Sequence, residues 1–213
     1  GMIRHRLAEA NMLHKTNLVK VADGEMISIG DFHCEFLPVT HSTPKGLISA
    51  IRTPQGLILH SSDFKLDNNP VDRRITDLDR IIALSRDPGI RLLLCDSTNA
   101  ELSGSSISES EVGNELEEVF SKFKQERIIA TCFSSHIHRI QQIIDISKRQ
   151  GRKVATLGFS MERNISLARS LGVLSVAEED LVDISEIETY PKNQIRVIST
   201  GSQGEPRSSL NLS

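Results

Sequence analysis

Three short segments carry most of the polar chemistry in this 213-residue sequence: Phe133-Ser-Ser-His-Ile-His138, Gly158-Phe-Ser-Met161 and Thr200-Gly-Ser-Gln-Gly-Glu205. Each follows an apolar run that reads as a strand. In an open α/β sheet, loops after strand carboxyl ends share one rim, and ligands bind there. The first segment also opens a helix, whose free backbone N–H groups favour an anion. Ser134, Ser135, His136, His138, Arg139, Ser160 and Ser202 are therefore candidate phosphate-binding residues. Ser and Gly are equally the residues of turns and caps, so these residues alone leave both readings open.

A second set lies upstream. His41 and Asp63 each stand just past a predicted strand, where each offers one metal ligand at a sheet edge. Two ligands so spaced make no recognisable metal motif, and a single His after a strand is more often a structural hydrogen-bonder. Asp96 ends the apolar run Leu92-Leu-Leu-Cys95. A carboxylate at the end of a buried strand is costly unless it is paired or functional. His5, His14 and His33 lack partners in sequence and read as surface residues, and Arg73-Arg74 reads as a solvated face.

The elements that must hold these residues follow from periodicity. Gly1–His14 reads as a short helix. Asn17–Ala22, Met26–Ile29 and Phe32–Val39 alternate as strands, and Gly46–Arg52 with Gly56–His60 forms a further pair around a Pro-Gln-Gly turn. Asp77–Ser85 is predicted helical, and Ile90–Cys95 reads as a fully buried strand. Beyond residues 97–108, rich in Ser and Gly, strands and helices alternate. Ser108–Gln125 is a helix with a Ser-Glu-Ser-Glu capping box, and Arg127–Cys132 is a strand. His136–Gln150 is a helix ended by Gly151, and Lys153–Leu157 is a strand. Met161–Leu171 is a helix ended by Gly172, and Ile195–Ser199 is a strand. The later half thus predicts a parallel sheet flanked by helices.

Bulk properties set limits. The net charge of -3 is not that of a globally basic nucleic-acid binder, so any such contact must be local. Seven Phe, one Tyr and no Trp argue against extensive base-stacking platforms. No apolar run is long enough to span a membrane, and no signal peptide is visible at the start. Cys34, Cys95 and Cys132 show no paired spacing. Together these predict a cytoplasmic protein with reduced, buried thiols.

In order along the chain stand His41-Ser-Thr-Pro44, His60-Ser-Ser-Asp-Phe-Lys65, Asp96-Ser-Thr-Asn99, Ser108-Glu-Ser-Glu111, Ser134-Ser-His-Ile-His-Arg-Ile-Gln-Gln142, Gly158-Phe-Ser-Met161 and Thr200-Gly-Ser-Gln-Gly-Glu-Pro206. This series resembles ribonuclease J, and the two-histidine form of the fifth motif most resembles actinobacterial members. The resemblance covers essentially the whole chain. It implies an α/β fold: a partial metallo-β-lactamase αββα sandwich over residues 1–105, then most of a β-CASP domain over residues 106–213. It implies a two-zinc hydrolase cleaving RNA phosphodiesters, with 5′-exonuclease and endonuclease activity in mRNA decay and rRNA maturation. By position, His41 resembles a zinc ligand and Asp63 a carboxylate bridging both metals. Asp96 resembles the acidic residue that precedes the β-CASP insert and supports the site. Asp63 and Asp96 are the implied catalytic residues, and the three polar loops resemble the β-CASP side of an RNA cleft.

The sequence departs from the family pattern in places. A His-x-His-x-Asp-His motif is expected before residue 1, and two histidine motifs are expected beyond residue 213; none occurs here. Ser61-Ser62 stands where the family usually has Thr-Gly, and Phe159 where it usually has Arg. Residues 207–213 drift from the pattern. The resemblance thus implies an internal fragment, inactive alone, of a dimeric or tetrameric enzyme. The competing readings are a non-catalytic RNA-binding or assembly module, another metallo-β-lactamase-fold hydrolase such as a lactonase or thioesterase, and a nucleotide-binding α/β domain unrelated to metals.

Overall fold

The computed structural model describes residues 2–204. They form two compact units: residues 16–41 with 45–110, and the remainder. The changeover falls at residue 110, and the residues up to Lys15 and 42–44 group with the later unit.

The β-rich unit is one five-stranded sheet in the order β1 (Met26–Ile29), β2 (Phe32–Pro38), β3 (Leu47–Thr53), β4 (Gly56–His60) and β5 (Ile90–Leu94). The first four strands pair antiparallel, and β5 joins β4 in parallel. Alternation puts Leu37, Ile48, Ala50, Leu57 and Leu59 on one buried face, where Leu84 of helix α2 (Leu78–Arg86) packs with them. Asp77 caps α2 by accepting from the Arg80 N–H at 2.9 Å. Arg80 also binds both oxygens of the buried Glu35 carboxylate, at 2.6 and 3.0 Å.

Two expectations fail in this unit. Residues 17–22 form no strand; alternation specifies a strand only where a partner ladder and a buried face exist, and Val19 is exposed. β5 forms as expected but is not buried: Leu92, Leu93, Leu94 and Cys95 are all exposed. It is the edge strand of this sheet, so its apolar run has a neighbour on one side only. Cys34 and Cys132 are the buried thiols.

In the later unit, β6 (Ile128–Thr131), β9 (Ile195–Ser199), β7 (Lys153–Leu157) and the short β8 (Leu181–Val182) make an all-parallel sheet in that order. Residues alternate between its faces. Ala130, Val154 and Ile198 pack with Phe120 of α3 (Glu109–Lys122), with Ile137, Ile140, Ile143 and Ile144 of α4 (Ile137–Arg149), and with Met161 and Ile165 of α5 (Phe159–Ser170). Ala155, Ile195 and Val197 pack on the opposite face with Ile184, Ile187 and Tyr190. Both faces are covered, as a parallel sheet requires. Helix α1 (Met2–Glu9) is shorter than predicted and is followed by a single 3₁₀ turn, Leu13–Lys15. No helix among the described residues is long and apolar enough to cross a membrane.

Candidate functional site

In the β-rich unit, strand directions bring three sequence candidates to one sheet edge. β2 ends opposite the start of β3, and β3 starts opposite the end of β4. β4 and β5 run in parallel. His41, Asp63 and Asp96 follow the carboxyl ends of β2, β4 and β5, so all three emerge on the same edge.

Each is fixed by its neighbours. The residue before His41 is clamped: the Thr40 N–H donates to Thr76 Oγ1 at 3.0 Å, and Thr40 Oγ1 donates to the Arg74 carbonyl at 3.3 Å. Arg74 donates to the Val39 carbonyl at 3.1 Å and to both Asp23 carboxylate oxygens, at 2.8 and 2.6 Å. Those hydrogen bonds hold the Asp23 pKa below its ordinary value. The Arg74 side chain is 17% exposed, so it is a buttress for the His41 segment rather than the solvated residue expected. His33 likewise has a partner, Ser28 Oγ at 2.8 Å, and His5 lies 3.5 Å from Glu9.

Ser61 ties the ends of β4 and β5 together. Its N–H donates to the Leu94 carbonyl at 2.9 Å, and its Oγ accepts from the Asp96 N–H at 3.0 Å. Ser62 has φ 57, a left-handed conformation that costs a side-chain-bearing residue about 1 kcal/mol or more; its Oγ donates to the Leu47 carbonyl at 2.8 Å and steadies the turn that presents the exposed Asp63. Asp96 Oδ1 accepts from the Thr98 hydroxyl at 2.7 Å and from the Thr98 N–H at 2.9 Å. These bonds lower the Asp96 pKa, and the Phe64 N–H and the charge of His41 act in the same direction. Asp96 is therefore an anion, but it follows an exposed strand, so its pairing with Thr98 is not forced by burial as the sequence suggested. Among the described residues, no three His, Cys, Asp or Glu side chains converge on a common point. Zinc takes about four ligands, so these residues do not fit that ion by themselves.

In the later unit, β6, β9 and β7 run in parallel, so the loops after them share one rim. Ser134 and Ser135 lie in the first, Ser160 follows β7, and Thr200-Gly-Ser202 follows β9; Ser135, Ser160 and Ser202 are exposed. Glu205, the last residue of that third loop, lies outside the described residues. His136 caps α4, its Nδ1 accepting from the Arg139 N–H at 3.2 Å. Its ring is thereby committed to the fold, while His138 and Arg139 sit half-buried on the first turn. Asn164 of α5 donates to Ser134 Oγ at 3.1 Å and joins the first loop to the helix that carries the second. No local pattern marks Asn164, whose role depends on a partner thirty residues back.

Asp67 was also missed. Its carboxylate is buried and accepts from the Glu109 N–H at 2.8 Å, at the start of α3, and from the Asn69 N–H at 2.9 Å. Ser108 and Ser110 hydroxyls both donate to the Asn69 carbonyl, at 2.8 and 2.6 Å. The start of α3 is thus bound by a side chain from far upstream as well as by its own serines.

Comparison with known proteins agrees with this organisation. Residues 125–212 match the beta-CASP domain model of ribonuclease J. Ribonuclease J of Mycobacterium tuberculosis is 47% identical over 90% of this chain and 34% of its own length. The Mycolicibacterium smegmatis protein of that name is 42% identical over 99% of this chain and 37% of itself. That of Thermus thermophilus is 37% identical over 99% and 36%. A crystal structure of a protein of unknown function from Enterococcus faecalis V583 shares the fold, with a TM-score of 0.59 at 13% identity, over 85% of this chain and 44% of that one. The chain spans about a third of the length of the curated relatives it matches. Ordered motifs, the domain match over residues 125–212 and identity along nearly all its residues make this chain similar to a segment of ribonuclease J.

Proposed function

We propose that this chain forms the RNA-gripping surface, and a share of the catalytic centre, of a metal-dependent ribonuclease. The observation that carries the reading is the rim: three hydroxyl-bearing loops at the carboxyl ends of β6, β7 and β9, in a chain related to proteins named ribonuclease J. Ser134, Ser135, Ser160 and Ser202 supply hydroxyl donors for phosphate oxygens. Arg139 adds charge and His138 a ring nitrogen at the first turn of α4, where backbone dipoles also favour an anion. His136 holds that turn in shape. Asp96, kept ionised by Thr98, supports the other edge.

The assembled enzyme uses two zinc ions, with His41 and Asp63 among the ligands and the remaining donors supplied from outside the residues described. It hydrolyses RNA phosphodiesters in both 5′-exonuclease and endonuclease modes, acting in mRNA decay and rRNA maturation in the cytoplasm as a dimer or tetramer. The 213 residues alone bind zinc poorly and leave RNA uncut. A second reading, a non-catalytic RNA-binding module, is favoured by the donor set at the His41 edge.

One set of measurements tests these statements. Zinc is titrated into the chain while a labelled RNA is followed for cleavage, and a nucleoside monophosphate is titrated by NMR into the parent and into His138→Ala. We expect weak zinc binding, intact RNA, and shifts at the rim that shrink in the variant. Stoichiometric zinc with EDTA-sensitive cutting would refute the inactivity of the chain; identical shifts in the two proteins would refute the rim.

A further inference from the structure

The rim carries apolar groups as well as polar ones. Phe159 is 77% exposed, the most exposed large hydrophobic side chain among the described residues. It is placed there by backbone geometry. Gly158 has φ 107, a conformation that L side chains rarely adopt. This residue turns β7 directly into α5 and sends the next side chain outward from the sheet edge. Phe133, at the matching place after β6, is 47% exposed. β6 and β7 both neighbour β9, so the two rings stand on strands about 10 Å apart at the usual spacing of about 5 Å per strand. Only seven Phe occur in the chain, and two of them stand on this rim.

Phe159 is backed by a cation. The Arg163 guanidinium lies 5.8 Å from the ring centroid and is itself tethered to Glu9 at 3.0 Å. The high exposure of Phe159 leaves ring surface open to solvent. An aromatic face beside hydroxyls that suit phosphate is the complement of a nucleotide, in which a flat base and a charged phosphodiester are held a few ångströms apart. Single-stranded RNA is recognised in this manner, by unstacked bases on aromatic rings and backbone contacts alongside. A protein partner of purely apolar character would leave the rim hydroxyls without a role.

We propose that Phe159 and Phe133 are the stacking platform of this rim, each receiving a nucleobase of single-stranded RNA. The proposal rests on the reading of the rim as RNA-facing and adds what that reading lacks, a contact to bases rather than to phosphates. Because every base has a π-face, the platform is tolerant of sequence and intolerant of duplex.

The test uses the 213-residue chain with two oligonucleotides of equal length and charge, a short oligouridylate and its abasic counterpart. F159A and F133A should each weaken oligouridylate binding by about tenfold, within the range expected for losing one stacked base, and leave abasic binding unchanged. F159W introduces a unique indole, since the chain has no Trp; oligouridylate should quench it and the abasic strand should not. Circular dichroism of the variants checks folding, which such an exposed ring should not affect. Equal binding of both oligonucleotides by the parent, unmoved by either alanine, overturns the platform and leaves the phosphate rim standing. A parent that binds neither overturns the rim and the platform with it. Alanine variants that change self-association, measured by sedimentation, but not oligouridylate binding identify a protein interface instead and also overturn the proposal.

Discussion

Strand β5 reads Ile-Arg-Leu-Leu-Leu and strand β9 reads Ile-Arg-Val-Ile-Ser. Both pair in parallel, and each has arginine at its second position. Yet β9 is buried at all five residues, and β5 is exposed at four of five. β9 lies between two strands, with helices and 3₁₀ segments packed over its two faces. β5 has β4 on one side only. An apolar run therefore specifies extended backbone, while burial is decided by what the rest of the chain brings to its edges and faces. The two arginines follow suit. Arg91 is exposed, beside Gly56, whereas Arg196 is wholly buried with its guanidinium 3.8 Å from the centroid of Phe120.

The strongest way to break this comparison is a cavity. Ile140→Ala, in the core facing β9, should lower unfolding stability by about 2 to 5 kcal/mol in urea titrations. A loss under about 1 kcal/mol would mean that the parallel unit is not the packed region described.

Next in size is the start of α3. Asp67→Ala removes the acceptor for the Glu109 N–H and should cost about 1 to 2 kcal/mol. Burial alone would raise the Asp67 pKa, but the Glu109 and Asn69 amides, helped by Ser108 and Lys65, outweigh it and leave the value lowered. A carboxylate depressed in the fold stabilises above its ordinary value of 3.8, and that contribution disappears as pH falls through the folded value. Asp67→Asn should accordingly flatten the acid limb of the stability profile. An unchanged limb would remove Asp67 from the account.

Arg196 sharpens the contrast from the other side. Burial pushes its pKa down to about 10, with the charge of Arg152 adding to the effect. A base depressed in this way carries a cost at every pH below that value, and the cost fades as pH rises past it. Ser147 Oγ at 2.9 Å and Gln150 Oε1 at 2.8 Å accept from the guanidinium, with no carboxylate among these partners. Arg196→Met should therefore change stability by no more than about 1 kcal/mol. A loss beyond about 3 kcal/mol would show that those contacts contribute more than burial takes away.

The smallest effect belongs to β5. Leu93→Lys should move the urea midpoint by less than about 0.5 kcal/mol in stability terms, while raising the concentration at which the chain aggregates, as charge on an edge strand does. Light scattering against concentration decides it, and an unaltered onset would exonerate the edge.

Much of the fold was legible in the sequence because its causes are local. Gly151 and Gly172, both at positive φ, follow α4 and α5 as predicted. The alternation in β2, β3 and β4 gave the buried face. Of the candidate residues, His41, Asp63 and Asp96 emerge together because strand direction alone puts them at one edge. What the sequence hid depends on distant partners. Arg74 meets Asp23 fifty-one positions earlier, and Asp67 meets Glu109 forty-two positions later. No window of periodicity contains both ends of such a pair. Phe159 was visible only as a departure from a family pattern; its exposure arises from the fold.

The Asp67–Glu109 bond also governs what a slow-exchange experiment would read. Amides of a helix usually trade their protons with solvent as the helix end frays, and the first turn is the quickest to go. Here the amide that opens α3 is held by a carboxylate rooted in the β-rich unit. Its deuterium uptake would therefore track the opening of that sheet, more slowly than helix fraying allows, and one peak in a spectrum would serve as a gauge of the β-rich unit.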